Sequence, residues 1–146
     1  MKMKLLPLFL MVMIAVSVAQ PIFAAHPQLE DTKIAGSDGQ PLNDISVHSG
    51  DSITLQARLY WYCYTIDPNP KWIPQLCRYL NFYVYKANDN GSNGELVWSD
   101  TAITNLFTAN ANPDTFQLTE SGTYNLVVKY EGKLKNSNAS AKIYVK

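Results

Sequence analysis

His48, Ser49 and Asp51 stand together in VHSGD and supply the residue types of a base, a nucleophile and an orienting carboxylate. A hydrolytic triad needs these groups in one hydrogen-bonded line. Neighbours on an extended turn point to different sides, so this segment predicts no catalysis. The other histidine, His26, lies in the N-terminal tail. A second chemically capable pair is Cys63 and Cys77, with thirteen residues between them. In an exported chain an even cysteine count suggests a disulfide. Closing that loop would stabilise the fold by about 3 kcal/mol on the chain-entropy account. Oxidised, the pair offers no thiolate nucleophile; two reduced, buried thiols are the alternative. Asn88–Glu95 (NDNGSNGE) gathers side-chain oxygens, but a calcium loop needs an acidic first half and a bidentate Glu at position twelve, which is Ser99 here. That stretch reads as a solvated hairpin turn, and no metal or cofactor is expected.

The aromatic residues carry more promise than the titratable ones. Tyr60, Tyr62, Tyr64, Trp72, Tyr79, Tyr83 and Tyr85 crowd the segment around the two cysteines. Exposed rings stack on sugar faces or anchor protein interfaces; turned inward, they cover a second sheet or pack under a loop. Trp72 sits between Lys71 and Ile73 in DPNPKWIP, a segment with three prolines in eight residues. Such a segment reads as a stiff loop, a favourable place for a contact residue. Asn90 and Asn138 each begin an N-glycosylation acceptor, in NGS and NAS, and both fall in expected turns.

Export is itself an inference from order. Lys2 and Lys4 precede an apolar run from Leu5 to Val18, followed by small residues at Ser17-Val18-Ala19 and Ala24-Ala25. That order is a secretory signal peptide over residues 1–24, with Ala19, Ala24 and Ala25 as the candidate cleavage points. An uncleaved anchor is the alternative, since Leu5–Ala25 reaches 21 residues. The remainder, 25–146, is long enough for one domain. Without Lys2 and Lys4 it carries ten basic and twelve acidic groups, a net −2. This balance argues against nucleic acid, and against a membrane partner other than through that anchor.

The elements that would hold these residues are strands. Ile53, Leu55, Ala57, Leu59, Trp61 and Cys63 alternate with Thr54, Gln56, Arg58, Tyr60 and Tyr62, the period-two pattern of one half-buried strand. Arg78–Lys86 repeats it, with Leu80, Phe82 and Val84 on one face and Tyr79, Tyr83 and Tyr85 on the other. Shorter strands are expected over Glu30–Ala35, Asp44–Val47, Glu95–Trp98, Ala102–Thr108 and Thr115–Thr119. A last hairpin pairs Thr123–Tyr130 with Ala139–Val145. Seven to nine strands without a helix point to an all-β, two-sheet sandwich.

Glu120-Ser121-Gly122-Thr123-Tyr124 resembles the acidic-x-Gly-x-Tyr signature that precedes a late strand in the immunoglobulin superfamily. Gly50–Leu55, Tyr83–Lys86 and Thr115–Leu118 resemble three more of its strands in order. The resemblance runs from about Gly50 to Val145. It implies an immunoglobulin-like sandwich in which the Tyr124 hydroxyl returns to the turn and Gly122 supplies the permissive backbone. The inter-sheet cysteines of that family would fall near Ala57 and Leu126, and neither is cysteine. The chain therefore looks closer to the immunoglobulin-like modules of bacterial and archaeal exported proteins. The expectation is a non-catalytic binding or structural module, secreted or at the cell surface. Its partner would be another surface protein or a glycan, or it would act as a small inhibitor presenting residues 67–74.

Overall fold

In the computed structural model, residues 31–63, 71–133 and 135–146 are described, Cys63 and Lys71 by their backbone alone. The expected signal segment and Tyr64 lie outside the described residues. Ten strands and no helix occur among those described. They are β1 (Asp31–Ala35), β2 (Ile45–Val47), β3 (Ser52–Ile53), β4 (Arg58–Cys63), β5 (Lys71–Pro74), β6 (Tyr79–Ala87), β7 (Asn93–Ile103), β8 (Phe116–Gln117), β9 (Gly122–Glu131) and β10 (Asn136–Val145).

The largest sheet has five strands in the order β2-β10-β9-β6-β7; the others run β1-β4-β5 and β3-β8. All three contribute to one core, which joins Ile34, Ile53, Leu59, Phe82, Phe116 and Ile143. The arrangement is all-β and compatible with a β-sandwich. Alternation explains it: along β6 the buried Leu80, Phe82 and Val84 face inward and Tyr79, Tyr83 and Tyr85 outward. On β9, Tyr124, Leu126 and Val128 continue the inner face. β10 pairs antiparallel with β9 over ten residue pairs, and parallel with β2 over three.

The long run from Ile53 is not one strand. Ile53, Leu55, Ala57 and Leu59 are all buried, so the in-out alternation persists. The pairing partner changes beneath it, from β8 at β3, through a bridge of Ala57 with Ala111, to β1 at β4. Three further expectations are corrected. Lys71–Pro74 is a strand rather than loop, paired to Tyr60–Cys63; Pro74 is tolerated at its end because β5 is an edge strand. Glu95–Trp98 and Ala102 onward merge into β7, whose register against β6 shifts near Tyr85, where a bulge absorbs the irregularity. Residues 104–108 then leave the sheet as a turn.

Candidate functional site

Around His48 the groups diverge. Its Nδ1 lies 3.6 Å from Asp51 Oδ2, with both side chains exposed. The Ser49 hydroxyl donates instead to the Thr119 carbonyl at 2.6 Å, so its proton does not reach the imidazole. Among the described residues no three His, Cys, Asp or Glu side chains gather where a metal ion would sit.

The expected Cys63–Cys77 disulfide is not found: Cys77 is a free thiol, and the Cys63 side chain lies outside what is described. Cys63 is level with Lys71 and Tyr60 with Pro74. The Gln75 N–H donates to the Leu59 carbonyl at 2.8 Å, and the Cys77 N–H to Thr104 at 2.9 Å. Leu59 lies four strand residues from Cys63, about 13 Å, and Cys77 follows two residues after Gln75. A disulfide spans at most about 7 Å between Cα atoms. Cys77 is an exposed free thiol with φ of 54°. A thiol reagent is therefore expected to label it in the native, unreduced protein, and Cys77→Ser to shift unfolding by less than about 1 kcal/mol. A loss near 3 kcal/mol would restore the disulfide.

The aromatic residues divide by environment. Tyr60 is buried, its hydroxyl donating to the Gly36 carbonyl at 3.1 Å, where it fastens the turn after β1. Tyr62 and Trp72 stand opposite each other across β4 and β5, ring centroids 4.9 Å apart. The Lys33 ammonium lies 4.6 Å from the Trp72 ring centroid. Trp72 is 36% exposed, more than the half-buried Tyr83 and Tyr85. Tyr79 is exposed at the start of β6, opposite Ile103.

Tyr83 and Tyr85 form a different surface. Two positions apart on β6, they share the outer face of the five-stranded sheet and stack with centroids 6.2 Å apart and planes 25° from parallel. Val127 and Asn125 are their neighbours on β9, and Ser140 and Lys142 follow on β10. An open groove of about 550 Å³ runs there, lined by Asp44, Asn93, Asn125, Ser140, Lys142 and Tyr144 among others. Its floor is fixed. The buried Asn125 amide donates to the Gly91 carbonyl at 3.0 Å and to Asn93 Oδ1 at 2.9 Å, and accepts from Lys142 Nζ at 3.0 Å. The Lys129 ammonium lies 5.5 Å from the Tyr83 ring centroid. Period-two alternation places the tyrosines outward; the groove beside them depends on neighbours distant in sequence, which no local pattern announces.

At the turn before β9, the Tyr124 hydroxyl donates to the Glu120 carbonyl at 2.8 Å, with the ring buried. Gly122 has φ of 146°, a region that favours glycine. The Glu120 carboxylate meets Lys86 Nζ at 2.5 Å. The hydrogen bond, and then the opposite charge, hold Glu120 below the usual carboxylate range and raise Lys86 above its ordinary value. The pair's contribution is thus present above the unfolded carboxylate range and is lost as acid titrates the folded Glu120. At the alkaline end it fades as pH rises through the elevated Lys86 value. Both side chains are well exposed, so solvent screening keeps it small.

Of the two glycosylation acceptors, Asn90 is in the exposed turn between β6 and β7, and Asn138 is exposed on β10 rather than in a turn. Two residues that sequence reasoning missed are Leu106 and Phe107, placed within a strand but found at an exposed tip. The flanking Asn105 and Asn110, common turn residues, were the available signal. No protein-family model and no curated protein matches the chain.

Proposed function

We propose that this chain is an exported, non-catalytic binding module with an immunoglobulin-like sandwich fold, and that it takes a glycan on the outer face of the five-stranded sheet. The observation that carries this reading is the stacked Tyr83–Tyr85 pair beside the Asp44–Lys142 groove. Sugar rings present apolar C–H faces and hydroxyl edges. Two nearly parallel rings suit the first, while an amide, an ammonium, a carboxylate and a hydroxyl within reach suit the second. The immunoglobulin-like assignment is supported by the Tyr124–Glu120 bond after Gly122 and by the strand order. The absence of a catalytic role is supported by the divergence of His48 and Ser49. Export rests on the order of the first 25 residues, which lie outside the described ones.

Presentation of residues 67–74 to a protein partner fits less well. Lys71–Pro74 is engaged by β4, and residues 64–70 lie outside the described residues. The test is calorimetric titration with soluble oligosaccharides, chosen from an array screen. Tyr83→Ala with Tyr85→Ala is expected to weaken binding at least about tenfold while Trp72→Ala changes it little. No glycan binding at millimolar concentration, or loss with Trp72→Ala instead, would overturn the assignment of this face.

A further inference from the structure

Strand register divides the outer face of the five-stranded sheet into rows. Tyr83 on β6 is level with Val127 on β9. One outward step along both strands, Asn81 is level with Lys129, which in turn is level with Asn138 on β10. Successive outward side chains on a strand stand about 7 Å apart, and directly opposed ones about 5 Å apart at Cβ. Lys129 and Asn81 are therefore neighbours, and both adjoin the Tyr83 ring.

This row offers donors. Asn81 Oδ1 accepts from the Thr101 hydroxyl at 2.7 Å, which engages the acceptor of that amide and leaves its N–H pair. An ammonium adds three donors and no acceptor. The half-buried Lys129 holds its ammonium 5.5 Å from the Tyr83 ring centroid. Among the described residues it has no ion pair. Glu131, the next outward residue on β9, is exposed, yet the ammonium is turned toward the tyrosine.

The other end of the face is balanced differently. There Lys142 Nζ donates to Asn125 Oδ1 at 3.0 Å, and the Lys142 backbone N–H donates to Asp44 Oδ1 at 2.7 Å. A carboxylate of the protein already belongs to that end. The stacked tyrosines thus lie between a mixed donor and acceptor groove and a row of donors carrying an uncompensated positive charge.

We infer, on the glycan reading of this face, that its ligand is an acidic oligosaccharide, with a sugar carboxylate held between Lys129 Nζ and the Asn81 amide. An ionised carboxylate only accepts, and its two oxygens suit one donor each. A neutral sugar hydroxyl both donates and accepts, so it would leave the donors of this row in excess. Hydroxyls are better served at the Asp44 end, where acceptors and donors alternate. The ligand therefore has a direction: the acid at the Lys129 end, a neutral sugar over Tyr83 and Tyr85, and hydroxyls in the groove. Charge-assisted hydrogen bonds are about twice as strong as neutral ones. Water reaches the half-buried lysine, so the charge sets a preference for acid over neutral sugar rather than supplying most of the affinity.

The test is calorimetric titration of the full chain with acids and their neutral counterparts: oligogalacturonate against its methyl ester, and sialyllactose against lactose. A sulfated disaccharide supplies an anion without a carboxylate. At least one acid should bind several-fold more tightly than its counterpart at low salt, and the gap should narrow as ionic strength rises. Lys129→Gln should remove the gap, Lys129→Arg should keep it, and Asn81→Ala should narrow it. Unchanged urea midpoints show that these variants fold. Tyr83→Ala should weaken acid and neutral sugar alike, so it reports the platform and not the charge. Acid and neutral sugar bound equally, or a gap that survives Lys129→Gln, overturns the acidic assignment and leaves the tyrosine face as a glycan site. A sulfated sugar bound more tightly than either carboxylate overturns the carboxylate assignment. Binding of no sugar, charged or neutral, or of a polyglutamate peptide in preference to all of them, overturns both the acidic assignment and the glycan reading.

Discussion

Phe82→Ala is expected to lower the free energy of unfolding by about 3–5 kcal/mol. Phe82 is 1% exposed and sits on β6, which has β7 on one side and β9 on the other. Its neighbours along the strand, Leu80 and Val84, are fully buried, and Val128 stands opposite on β9. Strands paired on both sides cannot move inward to refill the space, so most of the cavity would persist. Domains of this size are stable by only about 5–15 kcal/mol, so the variant would lie near the limit of folding at ordinary temperature. Urea unfolding measures this directly. A loss below about 1.5 kcal/mol would mean that the core collapses around the site or is not centred there. Phe82→Leu keeps most of the volume and should cost much less.

Tyr124→Phe should cost about 1–3 kcal/mol. The substitution keeps the ring that fills the inner face of β9 and removes only the hydroxyl, which donates to the Glu120 carbonyl. Glu120 is exposed, so water can reach that carbonyl and the loss should fall toward the lower end. Glu120→Ala is the matching control. It leaves the carbonyl and its donor in place and removes only the solvent-screened pair with Lys86, so stability at neutral pH should change little. If Tyr124→Phe costs only a few tenths while Glu120→Ala costs more, the turn is held by the ion pair and not by the tyrosine.

What the sequence made legible follows from distance along the chain. The alternation of Leu80, Phe82 and Val84, and of Tyr124, Leu126 and Val128, is a local property, and those strands lie where the pattern puts them. Alternation says which way a side chain points, not which strand lies beside it. For that reason the run from Ile53 to Leu59 was legible as an inward row and illegible as a change of partner. β5 was hidden by prolines, because a proline excludes a central strand and not an edge one. The cysteines suggested a bridge because their number and spacing allow it; number and spacing do not show that Cys77 ends as an exposed free thiol. The outward tyrosines could be read, but the groove beside them draws on Asp44, Asn93, Asn125 and Lys142, which pairing alone brings together. The Leu106–Phe107 tip was obscured by its own hydrophobicity, which reads as a buried strand.

The bridge between Ala57 and Ala111 consists of two reciprocal bonds, at 3.1 and 2.8 Å, between residues with no exposed surface. It joins the point where one continuous inward row leaves β8 and takes up β1. Local opening usually releases one sheet or hairpin while the rest stays closed. Here the two smaller sheets are worked into the same stretch of chain, and loosening either pulls on a contact that water cannot reach. Their amide protons should therefore be released together, in the rare events that open the whole core, and the slowest of them include two that belong to no regular strand.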